Sequence, residues 1–349
     1  MSKPPSLSRD ETQQHLFPAG PPTLWCPPLT HYAQDGQIDQ ERLAAHFHFM
    51  QPWVKGFLVP GTTGDGWELF PAEKAALLDA VLRNVRGSDA QVLLGALDPD
   101  ASAAKRIIQA GWHHLETRQA GDTPLATLRK NQVCGFAICP PRGAQLSQEE
   151  IGQGLSAVLD LGLPTALYQL PQVTQNEMSP PLVADLARRF AHFILFKDTS
   201  GADRVATAKL DLGGVFLVRG MERDYASSLK VGGGPYDGYL LSTANSFAAP
   251  LSKIRELLAV ERRRGSQPFV GAIEFRRGRA FQHRGRRRPR EQVHQREQVG
   301  RSLLRPWTRR SQPGATPIAL GVLAHSGDGA GGWGLASPAW LHPARGYLE

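Results

Sequence analysis

Lys197 ends the apolar run Phe193-Ile194-Leu195-Phe196 and is followed by Asp198, Thr199, Ser200 and Gly201. Such a run reads as a strand buried on both faces, so the lysine projects from a buried strand end. An ammonium among apolar side chains is costly to keep charged. Desolvation favours the neutral amine, which is the nucleophile for condensation with a ketone to a Schiff base. The alternative is a lysine neutralised by Asp198 or another carboxylate, and the residues alone leave both open. Tyr168, in the segment YQLP, sits near the end of the preceding apolar run. A phenol there can relay protons to and from an imine, or it is a core tyrosine with a satisfied hydroxyl. The turn Gly61-Thr62-Thr63-Gly64 closes the run GFLVP. Its two threonine hydroxyls and exposed turn N–H groups can hold a small carboxylate without a metal, although glycine-rich turns also end strands for purely geometric reasons.

These groups act together only if the fold gathers the ends of separate strands. Apolar runs at 22–30, 56–61, 91–97, 133–141, 165–171, 193–200, 215–220 and 236–244 read as strands. Helical patterns stand between them, at 39–53 with Leu43, Phe47 and Met50 on one face, at 71–85 opening on proline, and after Pro99. Others lie at 147–162, where Ser147 and Glu150 form a capping-box pattern, at 179–190 and in ADRVATAKL, and a last one runs through FAAPLSKIRELLAVERRR. About eight strand–helix alternations with strands apolar throughout predict an α/β fold, a (β/α)8 TIM barrel, with its site at the C-terminal ends of the strands. A doubly wound open sheet is the competitor; the GxGxxG turn that would favour it is absent after the first strand. The pattern blurs over 112–132. Residues 1–20 read as a flexible leader, 21–262 as the catalytic barrel, and 263–349 as an atypical Arg/Gly/Pro-rich segment.

Charge supports that division. The 349-residue chain carries 40 Lys+Arg against 32 Asp+Glu, a formal net charge of +8. Residues 262–310 contain sixteen arginines and only Glu274, Glu291 and Glu297 as acids, so this segment is +13 and the rest of the chain is −5. No lysine follows Lys253. The abrupt switch to Arg, Pro, Gly and Ala is that of a GC-rich gene read out of frame, and the competing reading is a disordered basic tail that binds nucleic acid or an acidic partner. The high net charge is therefore weak grounds for a nucleic-acid role of the barrel.

Cys26, Cys134 and Cys139 form no CxxC and no even framework, which argues against a disulfide scaffold or a cysteine zinc site. His46 and His48 lie two apart on a predicted helix, and His113-His114 lack carboxylates at metal spacing, so no metal site is expected. The triple glycine 232–234 precedes no Lys-Ser/Thr and is not a P-loop. No run reaches the length of a membrane span and the first twenty residues lack an apolar core, which points to a cytoplasmic protein.

The order GTTGDG, then YQLP about 105 residues later, then FKDTSG about 28 later, resembles the dihydrodipicolinate synthase / N-acetylneuraminate lyase family over roughly 70% of the chain, residues 20–262. The resemblance implies a (β/α)8 barrel that forms a lysine Schiff base with pyruvate or a pyruvate-derived 2-oxo acid, without a cofactor, in a homo-oligomer. It implies that Lys197 is the Schiff-base lysine, that Tyr168 shuttles protons, and that Thr62 and Thr63 bind the pyruvyl carboxylate, Thr62 also joining the proton relay. Gly220, and Leu240 in GYLLSTAN, match positions lining the pyruvyl pocket. The implied activity is a lyase or aldolase that cleaves or forms a carbon–carbon bond. A sugar-acid dehydratase using the same imine, or an inactive relative whose basic tail binds an acidic partner or nucleic acid, are the alternatives.

Three departures qualify the resemblance. The synthases carry an arginine two residues after the proline of Y-x-x-P, where Val173 stands here, which points to the lyase and aldolase branches. Many members place a tyrosine after the fourth strand that reaches a neighbouring subunit; Pro141 and Arg142 stand here, and Arg142 is a candidate ligand for an anionic substrate tail. Members also continue into a small helical bundle, for which the arginine-rich ending is no match.

Overall fold

A computed structural model describes residues 7–263, with side chains to residue 260. Eight parallel strands close into a barrel in sequence order. They are β1 (Leu24–Cys26), β2 (Gly56–Val59), β3 (Gln91–Gly95), β4 (Val133–Ile138), β5 (Thr165–Gln169), β6 (Phe193–Asp198), β7 (Phe216–Arg219) and β8 (Gly238–Leu240). Every expected run contains one strand, shorter than the run. Proline marks several ends, because Pro27, Pro60, Pro140 and Pro171 have no N–H to give a ladder. The residues of β4, β5 and β6 are all buried, as a parallel sheet coated by helices requires.

The helices are α1 (Arg9–Leu16), α2 (Gln40–Met50), α3 (Pro71–Val85), α4 (Ala101–Gln119), α5 (Pro124–Lys130), α6 (Gln148–Leu159), α7 (Pro171–Thr174), α8 (Pro180–Arg189), α9 (Arg204–Thr207) and α10 (Ala244–Arg263). Leu43, Phe47 and Met50 form the buried stripe of α2, and Asp39 caps it through the Arg42 N–H. Ser147 and Glu150 complete the capping box of α6. The blurred stretch resolves into the long α4 and the short α5. The buried residues of α4 are only Ala104, Ile108 and Leu115, so its apolar stripe is too narrow to read, and Thr123 with Pro124 starts a second helix. His114 on α4 is bonded to Asp79 of α3 at 2.9 Å, beside Arg118.

Where α3, α4 and α5 end, on the face opposite the strand C-termini, Arg86, Arg118 and Lys130 line a cleft of about 400 Å³. Cations there oppose the partial negative charge of three helix C-termini. Arg118 is moreover paired with Asp79.

One expectation changes. Within the stretch read as a flexible leader, Arg9–Leu16 forms a docked helix with a Ser8/Glu11 capping box. Arg9 is only 8% exposed. Its guanidinium donates to the carbonyls of Phe193 (2.6 Å), Phe190 (2.9 Å), Leu212 (3.3 Å), Ala187 and Gly213. Gln13 adds bonds of 3.0 Å to the carbonyls of Ile194 and Gly214. The helix thus closes the loops that enter β6 and β7, while Leu16 and Phe17 are buried and Phe17 meets Trp25 edge-on. A short polar helix held by distant carbonyls leaves no periodic signal. Residues 264–349, and with them the frame-change and tail-binding readings, lie outside the described residues.

Removing Arg9 strands several carbonyls at once. Arg9→Ala is expected to lower stability by about 2 kcal/mol or more, and Arg9→Lys to recover little, since an ammonium cannot reproduce the planar fork. Urea unfolding midpoints measure this; an unchanged midpoint for Arg9→Ala would show that α1 does not brace the barrel.

Candidate active site

β5 and β6 pair with Tyr168 opposite Lys197. Lys197 is 5% exposed and Tyr168 3%. The Lys197 Nζ lies over the phenol ring, 3.8 Å from its centroid. The sheet alternation turns the two neighbours on β6 to opposite faces. Lys197 points to the inner face, its Nζ over the Tyr168 ring and its Cε 3.1 Å from where a Cβ at Gly220 would stand. Asp198 points outward, accepting from the Ser200 N–H at 2.8 Å and lying 3.2 Å from the Tyr236 hydroxyl. The pairing of Lys197 with Asp198 is therefore not what forms. Among the described residues Lys197 has no ion-pair partner.

Gly220 follows β7 and lies against this pair. A methyl group there would stand 2.3 Å from Thr199 Cγ2 and 3.1 Å from Lys197 Cε, so glycine leaves room for the lysine side chain. Its N–H donates to the Asp198 carbonyl at 2.7 Å. Leu240, on β8, is buried and in register with Trp25 of β1.

The Gly-Thr-Thr-Gly segment forms a single 3-10 turn, Thr62–Gly64, at the end of β2. Gly64 packs against the β1 loop, where an added methyl would lie 2.4 Å from the Pro28 carbonyl oxygen. Thr30 donates to the Gly64 carbonyl at 2.7 Å and fixes the turn. Asp65 follows in the left-handed region, φ 58°, and accepts from Tyr32 at 2.9 Å. Burial pushes the Asp65 carboxyl above its usual range. The Trp67 indole N–H donates to the Thr62 hydroxyl at 3.1 Å. That contact occupies a lone pair of the hydroxyl and leaves its proton available to another acceptor. Both threonines are partly exposed.

Arg142 lies on the exposed rim after β4 and donates through Nε to the Val173 carbonyl at 2.9 Å. It thus reaches the backbone of the very residue that stands where the synthases carry an arginine.

Several groups at this end of the barrel were not singled out from sequence. Glu222, in the loop after β7, accepts from Ser242 (2.8 Å), from the Thr243 N–H (2.9 Å) and hydroxyl, and from Tyr225 (3.3 Å). Cys26 is fully buried within its field; burial pushes the thiol well up, Glu222 adds to this, and Lys197 opposes it. Burial likewise pushes the Cys139 thiol up to about 12, with Asp98 adding and Arg142 opposing. Both cysteines are therefore thiols rather than thiolate nucleophiles. Glu222 lies in RGMERD, a strand-end segment, and that position was the only signal available for it. Trp67 had none, since its partner is recognisable only once the turn is built. Among the described residues no cluster of three or more His, Cys, Asp or Glu could hold a metal ion, and no helix is long and apolar enough to cross a membrane.

The dihydrodipicolinate synthetase family model matches residues 126–260. A probable 5-dehydro-4-deoxyglucarate dehydratase of Arthrobacter is 29% identical over 176 residues, 50% of this chain and 51% of that protein. A 4-hydroxy-tetrahydrodipicolinate synthase of Parasynechococcus marenigrum is 29% identical over 185 residues, 52% and 54% of the two chains. The chain thus spans about half the length of these curated relatives. Dihydrodipicolinate synthase from Cyanidioschyzon merolae, solved with lysine bound, superposes with a TM-score of 0.58 at 19% identity, covering 75% of this chain and 81% of that one. The family match spans the half of the barrel that carries Tyr168, Lys197, Gly220 and Leu240, and the other half shares the (β/α)8 fold of the solved synthase.

Proposed function

We propose that the protein is a Schiff-base carbon–carbon lyase acting on a pyruvate-derived 2-oxo acid. The observation that carries this reading is the buried Lys197 with no carboxylate partner among the described residues, its Nζ 3.8 Å from the centre of the Tyr168 ring. The amine attacks the C2 carbonyl, and loss of water leaves a protonated imine. Tyr168 gives its phenol proton to the departing water and, as the phenolate, takes the proton of the C4 hydroxyl; the C3–C4 bond breaks, and its electron pair moves into the imine to give an enamine as the aldehyde departs. Protonation at C3 and hydrolysis release pyruvate and return the amine. Thr62 and Thr63 hold the substrate carboxylate and present C2 to the lysine, a contribution of orientation. Gly220 and Leu240 line the pyruvyl pocket. No step calls for a cofactor. The family's oligomeric assembly and a cytoplasmic setting belong to the same reading.

A second reading is dehydration of a sugar acid through the same imine, in which C3 loses a proton and the C4 hydroxyl leaves. It is favoured by the Arthrobacter relative, whose name is that of a sugar-acid dehydratase. Both readings accommodate Val173 in place of an arginine. In both, Arg142 reaches over Val173 and supplies a cation for the far, anionic end of the substrate.

Borohydride reduction in the presence of pyruvate is expected to add one pyruvyl-derived mass at Lys197, and none in Lys197→Ala. Tyr168→Phe should still trap pyruvate while losing about 10²–10⁴-fold in turnover of a longer 2-oxo acid. Folded protein that traps nothing would sink the proposal. Arg142→Ala is expected to raise KM for 2-oxo acids with an anionic tail by about tenfold, the scale of one charge-assisted hydrogen bond, and to leave pyruvate trapping intact. An equal effect on uncharged 2-oxo acids would remove Arg142 from the substrate site.

A further inference from the structure

Behind Lys197, on the outer face of β6, lies a buried cluster for which the proposed chemistry has no use. Tyr236, fully buried before β8, places its hydroxyl oxygen 2.8 Å from Asp203 Oδ1 and 3.2 Å from Asp198 Oδ2. Burial and the two carboxyls push the phenol far above its ordinary range, so it remains a phenol with a single proton. One hydroxyl proton cannot make a full hydrogen bond to both acceptors at once. Were both carboxyls ionised, one of these contacts would set oxygen lone pairs against each other with no hydrogen between them, and on the Asp198 side that contact is fully buried.

The partners decide which carboxyl carries the second proton. Asp203 faces a guanidinium: Arg219 of β7 donates to it from Nη2 at 3.0 Å and Nε at 3.3 Å. That is the paired, charge-assisted geometry of a carboxylate. Asp198 faces no cation. Its Oδ1 accepts from the Ser200 N–H, its Oδ2 meets the Tyr236 oxygen, and it is fully buried. Burial raises its pKa, and Asp203 adds to that, against the pull of its hydrogen bonds. The other charged group facing the cluster is Asp224 of the loop after β7, 3.7 Å from Arg219 Nη2 and half exposed. Lys197 lies on the opposite face of β6.

We propose that Asp198 is held as the neutral carboxylic acid, donating to the Tyr236 oxygen while Tyr236 donates to Asp203, and that this relay, closed on Arg219, positions the strand end that carries Lys197. Its core, Asp198–Tyr236–Asp203–Arg219, then has no net charge, and the protons of Asp198 and Tyr236 each have an acceptor. It ties together β6, the start of α9, β7 and the segment entering β8. The proton assignment stands independently of the Schiff-base reading; only the consequence for Lys197 rests on it.

The sign of the pH dependence follows. A carboxyl whose folded pKa is raised takes up a proton on folding. Its contribution to stability is complete below the unfolded carboxylate range and is lost as pH rises through the folded value of Asp198. Asparagine reproduces the neutral acid, since its carbonyl accepts from Ser200 and its amide donates to Tyr236. Asp198→Asn is therefore expected to fold normally at neutral pH and to gain stability relative to the parent as pH rises. Asp203→Asn leaves Arg219 buried without its carboxylate and should lower the melting midpoint by about 6 °C or more. Carbon-13 NMR of the aspartate carboxyls in the full chain should show one protonated group at pH 7, missing in Asp198→Asn. Tyr236→Phe should slow pyruvate trapping at Lys197 by about tenfold while Asp198→Asn traps as the parent does. Wild-type spectra with every aspartate ionised, or equal damage from the two asparagine variants, would overturn the proton assignment. Unchanged trapping in Tyr236→Phe would overturn the positioning role. A protonated Asp198 in a protein that traps no pyruvate would leave the assignment standing and refute the lysine chemistry.

Discussion

The candidate site depends on one constraint, the burial of an amine at the end of β6 without a carboxylate facing it. Removing a cation from water is expensive, and proteins ordinarily relieve this with an ion pair. Here the aromatic face of Tyr168 is the observed neighbour of Nζ, a weaker partner than a carboxylate and one that leaves the amine accessible to an electrophile. The alternation of β6 makes this possible. Asp198 is one residue away in sequence yet belongs to the other side of the sheet, where Ser200, Tyr236, Asp203 and Arg219 occupy it. The strand thus keeps an acid and an amine apart by pleat geometry alone.

The same constraint shapes the neighbouring elements. Gly220 must lack a side chain because Thr199 Cγ2 stands 2.3 Å, and Lys197 Cε 3.1 Å, from where its Cβ would lie. Tyr168 must sit in register with Lys197, which the β5–β6 ladder provides from Ala166↔Leu195 through Gln169↔Asp198. At the opposite end of β6 and β7, Arg9 and Gln13 cap the carbonyls of the entering loops. The lysine-bearing strand is therefore fastened at both ends, by α1 below and by the Asp198–Arg219 cluster above. A side chain that must meet a small electrophile gains from a backbone that does not drift.

What could be read from sequence was whatever is encoded locally. Apolar runs followed by helical periodicity revealed the barrel, and Ser147 with Glu150 marked the start of α6 because a capping box spans only four residues. Lys197 and Tyr168 were legible because each ends such a run. The features that escaped are held by partners far away in sequence. Arg9 looks like a leader residue until Phe193 and Leu212 are beside it. Arg219 and Tyr236 look like parts of two separate strands until Asp203 lies between them. Glu222 becomes a rim acceptor only when β8 delivers Ser242 and Thr243. The second half of the helix over 101–119 was obscured for a different reason, an apolar stripe of three buried residues on a nineteen-residue helix.

The rim bears on specificity in the same physical terms. In the proposed function the pyruvyl group is small and common to many substrates, so the inner groups of the barrel mouth would not by themselves separate one 2-oxo acid from another. Discrimination must come from contacts to the remainder of the molecule, at the loops after β4 and β5. There the chain exposes Val173 where a guanidinium would grip a second carboxylate, and sends Arg142 from the adjacent loop to the Val173 carbonyl. A guanidinium has five N–H donors, and one of them is used in that bond. The Val173 carbonyl thus orients a cation that approaches from a different strand than Y-x-x-P, and in the proposed function this shifts where an anionic tail would be met. Loop exchange of this kind leaves the lysine, the tyrosine and the threonine turn untouched, because they are fixed by strand register and by the turn after β2 rather than by the rim.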